Sequence, residues 1–298
     1  MRIARVLHNA RIYLARIEGD HAVLLSEESG HPSADALREA LVAGADLNVE
    51  GVSVELEAVQ LLSPVAHPGK FLAIGQNYLD HAHESGAEAP IAPIAFTKAA
   101  TSIIGPGDVI SYRKDQSTQV DYEVELALVI GRRARDVSEE EAATCIFGYT
   151  VCNDVSARDA QFSDGQWSRG KSFDTFAPLG PWIVTGESVP NPQGLAIRAW
   201  VNGELLQDGN TADMIFPVAE LVSYLSHSMT LEPGDVITTG TPEGVGFART
   251  PPIFLEDGDV VEVEVEGIGR LRNSVRVDPD LARGTEVRNI QIDRMEGE

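Results

Sequence analysis

Apolar residues follow two different patterns along this chain, and the difference separates buried strands from half-exposed ones. Over residues 261–266 valine alternates with glutamate, which is typical of an antiparallel strand with its valines inward and its glutamates in water. The run Leu126–Ile130 is apolar at every position and therefore predicts a strand buried on both faces. The pair Asn202-Gly203 between two apolar segments predicts a hairpin. The other predicted strands are Ile3–Val6, Ile12–Ile17, His21–Leu25 and Phe71–Ile74.

Helix signals are confined to a few segments. The predicted helices run from Ser33 or Asp35 through Val42, over Ser138–Thr144 and over Pro217–Ser226. Ser33 is the expected N-cap of the first helix and Gly44 its end, while Ser138 and Glu141 have the spacing of a capping box. Glycine-rich turns and strands dominate the remainder. The sequence therefore predicts an α+β fold that is mostly β.

Two prolines and a glycine in LSPVAHPG, residues 62–69, indicate a linker. A chain of 298 residues can form one large or two unequal domains. We expect a small N-terminal α/β domain over residues 1–64 and a catalytic domain over residues 65–298. The first shows no constellation of catalytic side chains, so we expect it to serve packing or dimer formation.

The charge balance narrows the class of partner. The chain carries 23 Lys and Arg against 46 Asp and Glu, a formal charge of -23, which argues against nucleic acid and anionic membranes as partners. No run reaches the ~18 apolar residues of a membrane span, and the N-terminus lacks a signal-peptide core, so a cytoplasmic location is expected. Cys145 and Cys152 are too few for a disulfide framework and are expected to be core thiols.

Three carboxylates lie at the ends of predicted buried segments, where exposure to water does not explain their presence. Glu123 and Glu125 stand two apart at the start of the predicted buried strand, so their side chains share one face. Burying two such charges together costs on the order of several kcal/mol per ion unless a cation compensates. Asp154, at the end of a second apolar segment, supplies a third carboxylate. Oxygen ligands suit Mg²⁺, Mn²⁺ or Ca²⁺, so these three residues predict a divalent-metal site.

A polar, histidine-rich segment follows the strand that begins at Phe71. His81 and Glu84 are three apart, so on a helical turn their side chains could meet, and a histidine held by a carboxylate is a competent general base. An exposed polar loop is the alternative interpretation of this spacing, and His83 is a second candidate base. Residues 86–93, which contain glycine and proline, are expected to form a loop or lid.

The segment TGTPEGVG, residues 239–246, is glycine-rich like a phosphate-binding loop. It lacks the following Lys-Ser/Thr and a strong helix to supply an N-terminal dipole. We therefore reject the phosphate-loop interpretation.

Four segments, YEVELALVIG, NDVSARDAQF, GKSFDTFAPLGPWIVT and DVITTGTPEGVGF, resemble the fumarylacetoacetate hydrolase superfamily. The matching motifs extend from about Phe71 to Val275 in the family's order, and their combination is specific. The resemblance implies a β-roll or distorted barrel for the catalytic domain. Asn77 stands where the longer eukaryotic branch has a fourth acidic ligand. The chain therefore resembles the smaller, three-carboxylate branch of acylpyruvases and 2-hydroxyhepta-2,4-diene-1,7-dioate isomerases.

The resemblance also implies roles for individual residues. It assigns one divalent metal to three carboxylates, a water-activating dyad to a His-Glu pair, and oxyanion or substrate contacts to four further side chains. The matching positions are Glu123, Glu125 and Asp154 for the metal, His81 and Glu84 for the dyad, Lys171 for catalysis, and Arg158, Gln161 and Thr241 for the substrate.

These residues suggest a reaction. A 2-oxo acid can chelate Mg²⁺ or Mn²⁺, which stabilises an enolate as a Lewis acid, so we expect hydrolysis of a C–C bond in a 2,4-dioxo acid. The candidate substrates are an acylpyruvate, a fumarylpyruvate-like acid and a 2,4-diketo-3-deoxy sugar acid. Decarboxylation of oxaloacetate, or isomerisation or decarboxylation of a 2-hydroxydienedioate, remains an alternative because each uses the same site. The expected partners are a small anionic 2-oxo acid and, by the family's habit, a second copy in a homodimer. A metal-stabilised β-domain without catalysis is the non-enzyme alternative.

Overall fold

The computed structural model describes residues 1–31 and 34–279. Its strands are β1 (Arg2–His8), β2 (Arg11–Glu18), β3 (His21–Glu27), β4 (Val52–Glu55), β5 (Gln60–Leu62), β6 (Phe71–Gly75), β7 (Ile94–Thr97), β8 (Ile103–Ile104), β9 (Val109–Arg113), β10 (Val120–Asp121), β11 (Val124–Ile130), β12 (Ile146–Asn153), β13 (Ser156–Ala157), β14 (Ala177–Thr185), β15 (Ala196–Val201), β16 (Glu204–Asn210), β17 (Val236–Thr238), β18 (Val260–Val265) and β19 (Gly269–Asp278). Its α-helices are α1 (Ala36–Ala43), α2 (Leu79–Glu84), α3 (Glu139–Cys145), α4 (Arg158–Asp164), α5 (Trp167–Gly170) and α6 (Val218–Ser228).

Most of the strands join one large sheet. Its order is β4-β3-β2-β1-β14-β12-β11-β17-β6-β7, with β5 paired to β1 and β8 paired to β14. A second sheet has the order β16-β15-β18-β19-β9, and β10 pairs with β13. The predicted fold class, α+β and mostly β, is confirmed. Within the described residues no helix is long and apolar enough to cross a membrane.

Strand β11 lies inside the large sheet and faces a core on each side. Leu126 and Leu128 pack into the core shared with the five-stranded sheet and α6, while Ala127 and Val129 face the core that contains residues of β1 and α1. Every residue of β11 is buried, as the continuous apolar run predicts. Packing against both cores therefore holds β11 in place, including its first residues Val124 and Glu125.

The half-exposed pattern is confirmed on β18. Val261, Val263 and Val265 are buried, and Glu262 and Glu264 between them are partly exposed. Asn202 and Gly203 turn β15 into β16 with φ of 52° and 83°, which confirms the hairpin. Cys145 and Cys152 are buried, unpaired thiols, also as predicted.

Two of the three predicted helices contain clear caps. Helix α1 begins after Asp35, whose side chain accepts from the Arg38 N–H, and ends at Gly44 with φ of 63°; Ser33 lies outside the described residues. Helix α3 has the predicted capping box between Ser138 and Glu141. The third helix, α6, begins directly after Pro217.

The first strands continue the large sheet, because β1 pairs with β14. The predicted boundary near residue 64 falls between β5 and β6. Asp35 is buried there, and its second carboxylate oxygen accepts from the N–H groups of Ala66 at 2.8 Å and His67 at 3.0 Å. This carboxylate ties α1 to the predicted linker, and the division into two domains stays a prediction.

Candidate metal and catalytic site

Three carboxylates meet where β11 begins and β12 ends. The antiparallel register sets Val124 opposite Asn153, and the Asp154 N–H donates to the Glu123 carbonyl oxygen at 2.9 Å. One side-chain oxygen from each of Glu123, Glu125 and Asp154 lies within 4.8 Å of the others, and all three residues are buried. The structure therefore brings together the three predicted metal ligands.

Buried cations surround these carboxylates. The Lys171 ammonium contacts Glu123 and donates to Asp154 Oδ2 at 2.8 Å, and Arg158 Nη2 donates to Glu123 Oε1 at 2.6 Å. Burial opposes ionisation, yet Lys171 and Arg158 lower the pKa of Glu123 to about 2. Glu123 is therefore an anion across the neutral range.

Lys98 also belongs to this cluster, although no sequence motif marks it. Its ammonium donates to Asp154 Oδ1 at 2.5 Å and contacts the carbonyl oxygen of Lys171, and its side chain is fully buried. Lys98 follows β7 in an ordinary Phe-Thr-Lys tripeptide. The one available signal was the rarity of lysine: the chain contains four lysines, and two of them lie in this site.

Replacing Lys98 by methionine is expected to lower the free energy of unfolding of the metal-free protein by about 3–5 kcal/mol, because Asp154 loses a buried partner. Added Mn²⁺ should restore part of this loss by binding the native state. Denaturant unfolding with and without Mn²⁺ measures both effects. Lys114→Met is the control, since Lys114 is exposed and its removal should cost less than about 0.5 kcal/mol. Equal stabilities for the two variants would contradict the role of Lys98.

Glu125 shows that the donor set fits a divalent cation. No cationic side chain among the described residues bonds to it; its carboxylate accepts the Gly240 N–H at 2.9 Å. Burial, with Asp154 and Glu123 nearby, raises the pKa of Glu125 well above its ordinary value. An oxygen-only cluster in which one carboxylate has no bonded cationic side chain suits Mg²⁺ or Mn²⁺ better than zinc or copper.

The predicted dyad is formed by helix α2. His81 Nδ1 and Glu84 Oε1 lie 2.8 Å apart, three residues apart on one helical turn. His81 is 6% exposed, whereas His83 on the same helix is exposed. The exposed-loop interpretation of this segment is wrong, because the pair lies on a helix with the histidine buried.

The glycine-rich residues 239–246 bind the protein's own carboxylates. Three of their backbone N–H groups donate to acidic side chains of the site. The pairs are Gly240 with Glu125 Oε2 at 2.9 Å, Gly244 with Glu84 Oε2 at 2.9 Å, and Gly246 with Asp121 Oδ1 at 2.8 Å. Gly244 has φ of 99°, and a Cβ there would lie 2.2 Å from the Leu206 carbonyl oxygen, so only glycine fits.

Asp121 fixes the side chain of Arg158. Its buried carboxylate accepts from Arg158 Nε at 2.9 Å and from the Phe247 N–H at 3.1 Å. Arg158 Nη1 in turn donates to Gln161 Oε1 at 3.0 Å. The guanidinium therefore sits between three partners, of which Glu123 is the third.

A cavity of about 80 Å³ joins most of the predicted site residues. Those that line it are His81, Glu123, Glu125, Arg158, Gln161, Lys171 and Thr241. Asp154 and Glu84 lie one contact behind, bonded to Lys171 and His81. Asn77 is not part of the lining: its amide donates to the carbonyl oxygens of Phe216 at 3.1 Å and Thr239 at 2.8 Å. The residue at the position of the fourth acidic ligand thus anchors the backbone.

Two family models match the chain. One, described as Fumarylacetoacetate (FAA) hydrolase C-terminal, matches residues 70–276, and one described as Rv2993c-like, N-terminal, matches residues 1–64. The chain is 47% identical over 219 residues to a protein of Xenopus laevis named oxaloacetate tautomerase fahd2, mitochondrial, covering 73% of this chain and 68% of that one. It is 51% identical over 233 residues to an uncharacterized protein of Archaeoglobus fulgidus, covering 78% and 88%.

Solved structures are similar over nearly the whole chain. Fumarylacetoacetate hydrolase from psychrophilic Exiguobacterium antarcticum is 39% identical with a TM-score of 0.84, covering 93% of this chain and 100% of that one. A 5-carboxymethyl-2-hydroxymuconate delta-isomerase from Mycobacterium smegmatis is 42% identical with a TM-score of 0.78, at the same coverage.

Proposed function

This chain belongs to the fumarylacetoacetate hydrolase family of enzymes, and we propose that it is a divalent-metal-dependent hydrolase that cleaves a C–C bond in a 2,4-dioxo acid. One observation carries the proposal: His81, which is bonded to Glu84, lines the same small cavity as Glu123 and Glu125 of the carboxylate cluster. A base beside a metal site can activate water next to a chelated substrate. A free carboxylic acid and pyruvate would be the products from an acylpyruvate.

Glu123, Glu125 and Asp154 would hold Mg²⁺ or Mn²⁺, with Ca²⁺ as a substitute. When bound, the ion acts as a Lewis acid on the oxygens of a 2-oxo acid and stabilises the negative charge that develops there. Lys98 and Lys171 hold the two oxygens of Asp154 in place. The buried cations thereby orient this ligand.

His81 acts as the base in this proposal. The hydrogen bond from Nδ1 to Glu84 assigns the tautomer in which Nε2 is free to accept a proton. Nε2 can then take a proton from water as that water attacks the C4 carbonyl carbon. The C3–C4 bond then breaks, C4 leaves as the carboxylic acid, and the proton passes to C3 of the pyruvate product. The Gly244 N–H holds the other oxygen of Glu84, which restricts rotation of the carboxylate.

Lys171 and Gln161 supply donors for the oxygen that becomes negative when water adds. Gln161 Oε1 accepts from Arg158, so its NH₂ group is left to donate into the cavity. Arg158 is occupied by Asp121 and Glu123 as well, and in this proposal it orients Gln161. The donors are positioned before the substrate binds.

Proton transfer without cleavage is the second candidate. The relative from Xenopus laevis is named a tautomerase and the structure from Mycobacterium smegmatis an isomerase, and both reactions move a proton. His81 could move a proton at C3 of a 2-oxo acid with no water attack. Oxaloacetate decarboxylation would need no attacking water, because the C3–C4 bond breaks with loss of CO₂ and a proton then adds at C3.

Product analysis separates these reactions. Acetylpyruvate and oxaloacetate are incubated side by side with Mn²⁺-loaded protein, and a chelator serves as the control. Pyruvate plus acetate from acetylpyruvate would support the hydrolase. Pyruvate plus CO₂ from oxaloacetate alone would identify a decarboxylase, and faster keto-enol exchange without either product would identify a tautomerase.

Removal of the base gives a sharper distinction. His81→Ala is expected to reduce hydrolysis by about 10²–10⁴-fold, the usual contribution of a general base, while sparing much of any decarboxylation. His83→Ala is the matched control from the same helix and should stay within about twofold of wild type, since His83 is exposed. Rates of both reactions are measured for both variants. An equal loss of hydrolysis and decarboxylation in His81→Ala would refute the assigned role.

A further inference from the structure

Gln207 joins the ligand-bearing strand to the glycine-rich loop. It lies on β16, is 1% exposed, and has hydrogen-bond partners for both ends of its amide. Its Oε1 accepts from the Val124 N–H at 3.0 Å, and its Nε2 donates to Thr241 Oγ1 and to the Pro242 carbonyl oxygen, both at 2.8 Å. Val124 is the residue between Glu123 and Glu125.

The partners fix which way the amide points. A main-chain N–H can only donate, so it must meet Oε1, and a carbonyl oxygen can only accept, so it must meet Nε2. The NH₂ group has two hydrogens, one for the Pro242 carbonyl and one for Thr241 Oγ1. Thr241 is therefore an acceptor toward Gln207.

This arrangement decides where the Thr241 hydroxyl hydrogen points. Since Nε2 cannot accept, the hydrogen must turn away from Gln207. Thr241 is 2% exposed and lines the cavity, and its hydroxyl has no acceptor among residues 1–31 and 34–279. A buried donor without a partner is costly, so a ligand in the cavity with a negatively charged oxygen would satisfy it.

We propose that Gln207 is a positioning residue that turns the Thr241 hydroxyl into a donor for a carboxylate oxygen of the substrate. The inference rests on the proposed function, because it takes a 2-oxo acid as the occupant of the cavity. Gln207 itself does not line the cavity and acts through Thr241.

A double-mutant cycle tests the coupling. The readout is the dissociation constant of oxalate, an unreactive planar dianion, measured calorimetrically on protein saturated with Mn²⁺. Thr241→Val should weaken oxalate binding by about 10–100-fold, the effect of losing a hydrogen bond to a charged group. Gln207→Met should weaken it by about tenfold in the wild-type background and by less than about twofold in the Thr241→Val background.

Two controls isolate the effect. Thr241→Ser keeps the hydroxyl and should bind oxalate within about threefold of wild type. Gln193→Met removes another bridging glutamine, which donates to the Thr211 carbonyl oxygen and accepts the Val218 N–H, and it should leave oxalate binding unchanged. If Gln207→Met does not fold, Gln207→Glu takes its place in the cycle, because it keeps an acceptor for Val124.

The outcomes separate this inference from the proposed function. A Gln207 substitution that weakens oxalate binding by the same factor in both backgrounds would show a merely structural role and overturn the assignment. Thr241→Val with normal oxalate affinity would also overturn it, with the hydrolase proposal intact. A Mn²⁺-loaded wild type that neither binds oxalate nor turns over any 2-oxo acid would overturn both.

Discussion

Asp154→Ala is expected to abolish detectable Mn²⁺ binding and to reduce every metal-dependent turnover by about 10³-fold or more. A metal that stabilises developing charge contributes several kcal/mol to catalysis, and each ~1.4 kcal/mol corresponds to a factor of ten in rate. Asp154 is the predicted ligand on which Lys98 and Lys171 converge, so its removal also leaves the buried Lys98 ammonium without a carboxylate and Lys171 with Glu123 alone. Calorimetric titration with Mn²⁺ and product assays measure the two effects.

Two further variants separate metal loss from misfolding. Asp154→Asn preserves the size of the side chain and should fold, yet with one charged ligand fewer it should bind Mn²⁺ far more weakly. Glu264→Ala is the matched control, because Glu264 is a partly exposed carboxylate on β18, where glutamates also recur every second residue. It should bind Mn²⁺ and turn over substrate like wild type. Unaltered Mn²⁺ affinity in Asp154→Asn would refute the predicted ligand set.

Low ionic strength is expected to destabilise the whole protein strongly. The acidic side chains that give the formal charge of -23 repel one another in the folded state. This repulsion extends over a Debye length of only ~3 Å in 1 M salt but of ~14 Å in 50 mM salt. The difference in self-repulsion is on the order of 5 kcal/mol or more. The melting temperature should therefore fall by roughly 10 °C or more between 2 M and 50 mM KCl.

Controls distinguish screening from other effects of salt. Sorbitol at 2 M is excluded from the protein surface but does not screen charge. At low ionic strength it should therefore not restore the melting temperature that KCl gives. Replacing the exposed glutamates Glu57, Glu140 and Glu204 by glutamine should reduce the dependence on KCl, because the repelling charge is smaller. A melting temperature independent of KCl would contradict the argument.

The sequence was most informative where local pattern and burial coincide. Glu123 and Glu125 could be separated from Glu262 and Glu264 because the apolar run behind the first pair is continuous, whereas valine alternates with the second. The first pair is indeed buried and the second partly exposed. Likewise His81 and Glu84 meet because a three-residue spacing on a helix is a local property.

Contacts between distant segments could not be predicted in the same way. Lys98 and Gln207 carry no local signature, and each reaches its partners across 34 residues or more of chain. Helix α4 begins at Arg158 immediately after β13 without a side-chain cap, so the usual helix signals are missing there. Its start is set by tertiary contacts, among them the pairing of Arg158 with Asp121.

The distribution of lysine in this chain has a practical consequence for surface chemistry. Of the four lysines, Lys98 and Lys171 are buried and Lys70 is paired with Asp235 at 2.6 Å, which leaves Lys114 exposed. The terminal amine of Met1 donates to Thr185 and Ser188. An amine-reactive dye or resin should therefore couple to the native protein predominantly at Lys114, giving a nearly homogeneous conjugate without any engineered attachment site.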